Sequence, residues 1–271
     1  MRFGLMLMSL LAMSGAAQEE RFEFRAINRE AVEARLKRVR RGNAERQLAL
    51  RQIFEEAGCN ESRLTEQAVK GVKQPNVICT LPGEASSTIM VGAHFDMVDI
   101  GMGVVDNWSG AALLPSIYQA LAERPRRHTF VFVGFTGEER GLLGSAHFVK
   151  QMGREGVKAT RLMLDLDSLG MTSTKIWLNG SDRKLAETLN ALAAALKLPL
   201  QVVNTERVGT TDSAPFAEKK IPTVSLHSLT QENLSVLHSN RDNLDAVKMD
   251  DYYGTYRLVT AYLTYLDAKL D

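Results

Sequence analysis

The segment that decides the fold runs from residue 88 to residue 96 and reads TIMVGAHFD. Its unbroken run of mostly apolar residues predicts a strand buried on both faces, which is typical of a parallel sheet. His94, Phe95 and Asp96 end the segment, so polar side chains follow a buried strand directly. In an open α/β sheet, ligands bind in the crevice beyond the carboxyl ends of the strands. The segment therefore predicts an α/β fold with a parallel sheet, and a ligand site beyond the carboxyl end of this strand.

Similar runs alternate with helical patterns along the rest of the chain. This alternation predicts crossover units, and so a single α/β domain with a mixed, mainly parallel central sheet and helices on both faces. The predicted strands are residues 76–80, 88–93, 129–135, 161–166, 175–178 and 222–226. The predicted helices are residues 109–122, 143–152, 182–196, 213–219 and 250–268.

The residues before the first of these strands have a different pattern. Apolar residues recur at helical spacing over residues 27–56, and Gly42 with Asn43 marks a break. We interpret residues 18–75 as an N-terminal helical extension that packs on a domain spanning residues 76–271.

The overall composition excludes some classes of protein. The chain has 271 residues, of which 45% are hydrophobic, and its 33 Lys and Arg nearly balance its 32 Asp and Glu. A near-zero net charge lacks the basic surface needed for non-specific nucleic-acid binding, so no nucleic-acid partner is expected. The composition indicates a globular protein and says nothing more about function.

Residues 1–17 have the order of a secretory signal peptide. Arg2 precedes an apolar run at residues 3–13, and small residues follow at 14–17. The run is too short for a membrane span, which needs about 20 residues, and no Cys follows it to carry a lipid. We expect cleavage near Ala16 or Ala17, export to the periplasm or the medium, and no stable membrane anchor. A frayed apolar helix is the alternative interpretation.

Export would change the expected redox state of the two cysteines, Cys59 and Cys79. In an oxidising compartment they would pair across a loop of about 20 residues. We favour this disulfide, with two buried free thiols as the alternative.

Acidic residues collect at the predicted strand ends and in the turns beside them. Carboxylates that converge on one crevice repel each other unless they take up protons or bind cations. The arrangement therefore predicts a site for divalent cations. Five carboxylates are found there: Asp96, Asp106, Glu138, Glu139 and Asp167.

Two histidines join these acids, because His94 directly follows one predicted strand and His238 lies beyond another, residues 222–226. Two Zn²⁺ ions carry four positive charges, which three of the carboxylates and one hydroxide would balance. Mixed imidazole and carboxylate ligands suit Zn²⁺ better than Mg²⁺ or Ca²⁺, with Mn²⁺ or Co²⁺ as alternatives. The expected ligands are His94, Asp106, Glu139, Asp167 and His238.

The remaining two acids have expected roles in catalysis. Asp96 lies two residues after His94, on the same side of an extended chain, where it would orient the imidazole ring. Glu138 precedes the ligand Glu139 and is placed to accept a proton from water and pass it to a leaving group.

In order along the chain, these segments resemble the metal-site segments of the M28 family of di-zinc aminopeptidases. The resemblance covers residues 76–271, and five segments in the family's order at predicted strand ends make it specific. A further stretch, residues 211–216 followed by 220–222, is also similar to the family. The five segments are residues 94–96 (HFD), 106–110 (DNWSG), 137–145 (GEERGLLGS), 165–170 (DLDSLG) and His238.

The resemblance implies a zinc-exopeptidase fold of the phosphorylase/hydrolase type, Glu138 as general base and Asp96 as orienter. Asp165 and Ser168 depart from the family pattern, where Asn and Met are usual, and residues 227–237 have no close match. The implied zinc ligands are His94 with Asp167 on one ion and Glu139 with His238 on the other, bridged by Asp106.

These features predict a secreted or periplasmic metallo-aminopeptidase that hydrolyses the first peptide bond of peptides or oligopeptides with a free N-terminus. The nearest alternative is a glutaminyl-peptide cyclotransferase-like enzyme with a single zinc, which would share this fold and motif order. A non-catalytic binding ectodomain is more distant, since every expected ligand and the base are present.

The other histidines and one acid have simpler interpretations. His128 and His147 are expected to be structural or surface residues. His227 ends a strand on the crevice side, where contact with substrate is the less favoured of its interpretations. Asp212 either lines the site or caps a helix that has Pro215 in its first turn.

Overall fold

The computed structural model describes residues 4–8, 22–204 and 209–270. Its strands are β1 (Gly4–Met8), β2 (Phe22–Ala26), β3 (Leu64–Gln67), β4 (Asn76–Leu81), β5 (Thr88–His94), β6 (Thr129–Phe135), β7 (Thr160–Leu166), β8 (Thr174–Trp177), β9 (Leu200–Val203) and β10 (Thr223–His227). Its helices are α1 (Arg29–Leu36), α2 (Asn43–Glu56), α3 (Ser109–Ala122), α4 (Leu143–Ala159), α5 (Arg183–Leu196), α6 (Ala214–Glu218) and α7 (Met249–Lys269).

Eight of these strands form one mixed sheet in the order β3-β4-β6-β5-β7-β10-β8-β9. The four central strands, β6, β5, β7 and β10, run parallel to one another. Their carboxyl ends therefore meet at one edge of the sheet, as the sequence predicts. The expected α/β fold with a mainly parallel sheet is confirmed.

The central strands are buried on both faces. From β5, Ile89 and Val91 belong to a large core on one face, together with much of α3 and α7. Met90 points to a smaller core on the other face, where it joins Phe148 of α4 and Phe216 of α6. The apolar run of β5 thus reflects two covering layers of helices.

Some elements differ from the sequence prediction. Strands β2, β3 and β9 have only four or five residues each, with several exposed side chains, and so lack the long apolar run that identifies a buried strand. Helix α4 extends to Ala159, beyond the predicted end at residue 152, although Gly153 has a non-helical conformation. The predicted break at Gly42 separates α1 from α2.

The N-terminal region contains more than helices. Strand β3 pairs with β4 of the main sheet, and β2 pairs with β1. The domain boundary at residue 76 remains a prediction. The expected cleavage site at Ala16 or Ala17 lies outside the described residues. Within those residues, no helix combines the length and apolar content needed to cross a bilayer.

Cys59 and Cys79 form a disulfide, which confirms the favoured pairing. The bond joins the chain just after α2 to β4, and the two Cα atoms lie 6.4 Å apart.

Replacing both cysteines by serine is expected to lower the free energy of unfolding by about 3 kcal/mol. Closing a loop of 20 residues removes conformational entropy from the unfolded chain, and the estimate follows from that loop length. Urea unfolding with and without reductant measures the effect. Wild-type protein that is equally stable with and without reductant would contradict it.

Candidate metal centre

The carboxyl edge of the central sheet presents the predicted site residues. His94 is the last residue of β5, and Asp167 directly follows β7. Glu138 and Glu139 lie in the turn after β6, and Gly137 begins that turn with a positive φ of 71°. The remaining two expected ligands come from loops: Asp106 precedes α3 and His238 follows β10.

The carboxylate of Asp106 lies at the middle of this group. One of its oxygens is 3.3 Å from Nε2 of His94, and the other is 3.1 Å from Nε2 of His238. The same His238 nitrogen is 3.1 Å from Oε2 of Glu139. Oδ1 of Asp167 lies 3.8 Å from Nε2 of His94. The structure therefore brings all five predicted ligands together, in two groups that share Asp106.

The spacing and chemistry of these atoms fit zinc. Ligands in a tetrahedron at about 2.0–2.1 Å from Zn²⁺ are about 3.3 Å from one another. The separations within the two groups, 3.1 to 3.8 Å, cluster around that value. Donor atoms of His94, Asp106 and Glu139 also lie within 4.8 Å of one another. Among the described residues, Oε1 of Glu139 is buried without a hydrogen-bond partner, as expected of an atom facing a cation.

The electrostatics of the group show how crowded its acids are. Burial, with repulsion from neighbouring carboxylates, raises the pKa of Glu138 to about 9 and that of Glu139 to about 7, against the opposing effect of His94. A hydrogen bond to Asp106 is the main cause that raises the pKa of His238 to about 9. Burial opposes the charge on His94, but the surrounding carboxylates raise its pKa well above the ordinary value. The folded chain thus retains protons where cations would bind.

Protein prepared without metal is expected to lose stability as the pH rises from about 5 to about 9. Glu138, Glu139, His94 and His238 all have folded-state pKa values above their ordinary ones, so the folded state binds more protons than the unfolded state in this interval. The free energy of unfolding then falls with rising pH. Because zinc would replace the protons on the proposed ligands among these groups, Glu139, His94 and His238, the increase in melting temperature on adding zinc should grow from pH 5 to pH 9.

Thermal unfolding with and without zinc at several pH values measures this effect. A shift that is the same at every pH would contradict the assignment of these groups to a metal centre.

Residues 76–263, more than two thirds of the chain, match the sequence family described as Peptidase family M28. The chain belongs to peptidase family M28. Among curated relatives, Aminopeptidase YwaD of Bacillus subtilis (strain 168) is 26% identical over 204 residues, covering 73% of this chain and 44% of the relative. The chain thus spans less than half the length of that relative.

Two solved structures share the fold. The zinc aminopeptidase BSAP from Bacillus subtilis superposes with a TM-score of 0.66 at 22% identity, over 73% of this chain and 52% of that one. The Acidobacteriales bacterium glutaminyl cyclase superposes with a TM-score of 0.77 at 17% identity, over 95% of this chain and 100% of that one. At these identities the likeness establishes the fold alone.

Asn107 is a residue of the candidate site that sequence reasoning did not single out. It follows Asp106 through a cis peptide bond and is fully buried. Its amide nitrogen donates to the carbonyl of Leu166 (2.8 Å), and its oxygen accepts from the backbone N–H of Ser168 (3.2 Å). Asn107 therefore ties the Asp106 loop to the strand end that carries Asp167. Its only sequence signal is its place in the DNWSG segment.

Asp96 contacts the turn that carries the expected base. Its carboxylate accepts hydrogen bonds from the backbone N–H of Glu138 (3.1 Å) and of Glu139 (3.4 Å). Its Oδ1 is 3.7 Å from Nδ1 of His94, farther than the backbone carbonyl of Asp96 at 3.3 Å. In this geometry Asp96 fixes the Glu138 turn more directly than it fixes the imidazole.

The side chain of Glu138 lies close to the candidate ligands, since its Oε2 is 3.9 Å from Nε2 of His94.

Two further acids lie beneath the metal-site residues of this M28 chain. Asp165 accepts a 2.5 Å hydrogen bond from Oγ1 of Thr211, and burial together with the charge on Asp167 raises its pKa to about 8. Asp212 is fully buried, and burial is the main cause that raises its pKa well above the ordinary value. The N-cap of α6 is Ser213, so the interpretation of Asp212 as a helix cap is wrong.

The remaining histidines differ in whether they lie beside the candidate site. His227 lines a small cavity of about 50 Å³ beside Asp167, together with Trp177. Its Nδ1 accepts from the backbone N–H of Leu229 at 3.0 Å, and burial lowers its pKa to about 4, so the ring is neutral. His128 is buried between Ser87 and the backbone carbonyl of Leu270, which confirms a structural role. His147 is half-buried in α4.

Proposed function

We propose that this M28 chain is an exported metallo-aminopeptidase that uses two zinc ions to hydrolyse the first peptide bond of peptides with a free N-terminus. The observation that carries the proposal is the Asp106 carboxylate, which presents one oxygen to His94 and the other to His238. Two donor groups sharing one carboxylate suit a pair of cations better than a single one. His94 and Asp167 would complete one group, and Glu139 and His238 the other.

Zinc in such a site supplies Lewis acidity towards the scissile carbonyl and makes water nucleophilic at neutral pH. Glu138 would accept the proton of the attacking water and return it to the departing amine. Its side chain is only 14% exposed and lies against His94, so the proton is held close to the reacting atoms between the two steps. Asp96 accepts a hydrogen bond from the backbone N–H of Glu138 and so would help to position the base.

The acid of the site that ligates neither ion also favours an exopeptidase. Zinc would neutralise Asp167 and the other ligands, but Glu138 lies on the same crevice and would be ionised beside a dication. Negative charge there would attract the ammonium group of a substrate N-terminus and disfavour an acylated one.

The test is a panel of aminoacyl anilides assayed before chelation, after chelation and after zinc is returned. The proposal expects turnover that chelation abolishes and zinc restores, with N-acetylated versions of the same substrates left intact. Turnover that survives complete metal removal would refute it, and so would equal cleavage of acetylated substrates.

A glutaminyl cyclase is the second candidate. This chain aligns with the whole length of the Acidobacteriales cyclase, but with only 52% of the BSAP aminopeptidase. Peptides beginning with glutamine distinguish the two activities, because a cyclase releases ammonia and leaves the peptide bond intact. Elemental analysis adds a second criterion, with two zinc ions per chain expected for the aminopeptidase and one for the cyclase.

Export is proposed from residues 1–17 alone, whose charged, apolar and small-residue order is that of a signal peptide. N-terminal sequencing of protein from a secreting host should begin at residue 17 or 18. An intact Met1 or Arg2 would refute export by this route.

A further inference from the structure

Arg46 is a fully buried arginine in α2, outside the residues that match the M28 family. Burial lowers its pKa to about 10, and Asp96 and Asp242 are the main charges that oppose this decrease. The guanidinium therefore stays charged at neutral pH. A buried charge is costly unless its donors are satisfied, so its partners identify its role.

Those partners are backbone carbonyls on the two loops that carry metal-site residues. Nε donates to the carbonyl of Phe95, the residue between His94 and Asp96. Nη1 donates to the carbonyl of Met102 (3.0 Å) and Nη2 to that of Gly103 (2.9 Å), both just before Asp106. The planar guanidinium thus links the end of β5 to the Asp106 turn with three hydrogen bonds that a lysine cannot reproduce.

The same turn is held from its other side by Asp242, which belongs to the loop after His238. The Asp242 carboxylate accepts from the backbone N–H of Val105 (2.6 Å) and of Asp106 (3.1 Å). Arg46 binds the carbonyls of the turn, and Asp242 binds its N–H groups. The guanidinium also lies 5.4 Å from the ring centre of Trp108, which keeps it in place.

One glycine shows how little freedom this turn has. Gly103 has a positive φ of 51°, and a Cβ there would meet the carbonyl oxygen of Asp106 at 2.9 Å and Nη1 of Arg46 at 3.1 Å. The turn is therefore packed directly against the guanidinium.

We propose that Arg46 is a positioning residue of the metal centre, through which α2 fixes the loops of His94 and Asp106. The inference rests on the proposed zinc site. Arg46 has two opposing effects on the affinity of the site for zinc. Its positive charge repels a dication, whereas its hydrogen bonds hold the ligands in place, and loss of such supporting contacts typically costs about 10- to 100-fold in metal affinity. The three carbonyl contacts imply that positioning is the larger effect.

The test compares zinc dissociation constants of wild-type protein, Arg46→Met, Arg46→Lys and Arg35→Met, by competition with a chromophoric chelator. Arg35 is the matched control, since it is also a buried arginine of the N-terminal region but bonds to Ser116 and Gln119 of α3. We expect zinc affinity to fall by about 10-fold or more in both Arg46 variants and to stay unchanged in Arg35→Met, although all three lose thermal stability.

Three outcomes would overturn the inference. Arg46→Met with unchanged or tighter zinc binding would show that the hydrogen bonds of Arg46 do not support zinc affinity. Arg46→Lys with wild-type affinity would show that a positive charge alone is enough, and this variant carries the test if the methionine variant does not fold. An equal loss of affinity in Arg35→Met would make the role merely structural. Wild-type protein that binds no zinc would refute the proposed function as well, so the two failures are distinguishable.

Discussion

Replacing Glu138 by glutamine is expected to reduce kcat by about 10²- to 10⁴-fold, the usual contribution of a positioned general acid–base. Glutamine keeps the size of the side chain and the backbone N–H that bonds to Asp96, but it cannot accept a proton from water. Zinc content and folding should therefore be unchanged. Steady-state kinetics on the best substrate, combined with elemental analysis, measure both quantities.

A suitable control is Glu84→Gln. Glu84 is exposed and lies before the amino end of β5, at the opposite edge of the sheet from the site. It should behave as wild type. A Glu138→Gln enzyme with kcat close to that of the control would remove Glu138 from the chemistry, whatever the metal content.

The second large effect is expected at Asp106. Among the described residues it is the only carboxylate paired with both imidazoles, at 3.3 Å from His94 and 3.1 Å from His238, and replacement by asparagine removes it. Both donor groups lose a charged ligand at once, so zinc affinity should fall by more than the 100-fold that loss of a supporting contact can cost. Elemental analysis after dialysis should find no stoichiometric zinc, and turnover should fall to background.

Two further variants show whether Asp106 is shared. His238→Ala affects one donor group only, so it should retain one zinc per chain. Asp165→Asn is a matched acid-to-amide change at a buried residue that does not face the imidazoles, and it should retain the wild-type zinc content. An Asp106→Asn protein that still binds two equivalents would contradict a bridging role.

Much of the fold and of the candidate site was predictable because each depends on local sequence. A strand buried on both faces needs an apolar run such as 129–135, and a parallel sheet brings the residue after each run to one edge. This is why His94, Glu139 and Asp167 could be placed together before their contacts were known. The resemblance to family M28 implies the same ligands, which remain a prediction.

The missed features depend on contacts between distant parts of the chain. Strand β3 is a strand because it pairs with β4, not because LTEQ has a strong β pattern. Arg46 bonds to carbonyls about 50 residues away. Because any residue can supply a backbone carbonyl, the sequence of the partner segment does not reveal the contact. The acid Asp212 looked like a helix cap because Pro215 follows it, but α6 begins later.

The Cys59–Cys79 disulfide has a consequence for limited proteolysis. The bond spans the chain between α2 and β4, so a protease that cuts between residues 60 and 78 would release no fragment under oxidising conditions. The nicked protein would run as one species on a non-reducing gel and as two polypeptides on a reducing gel. Arg46 would stay covalently attached to the part of the chain that carries the proposed zinc ligands, and only reduction would break this link to α2.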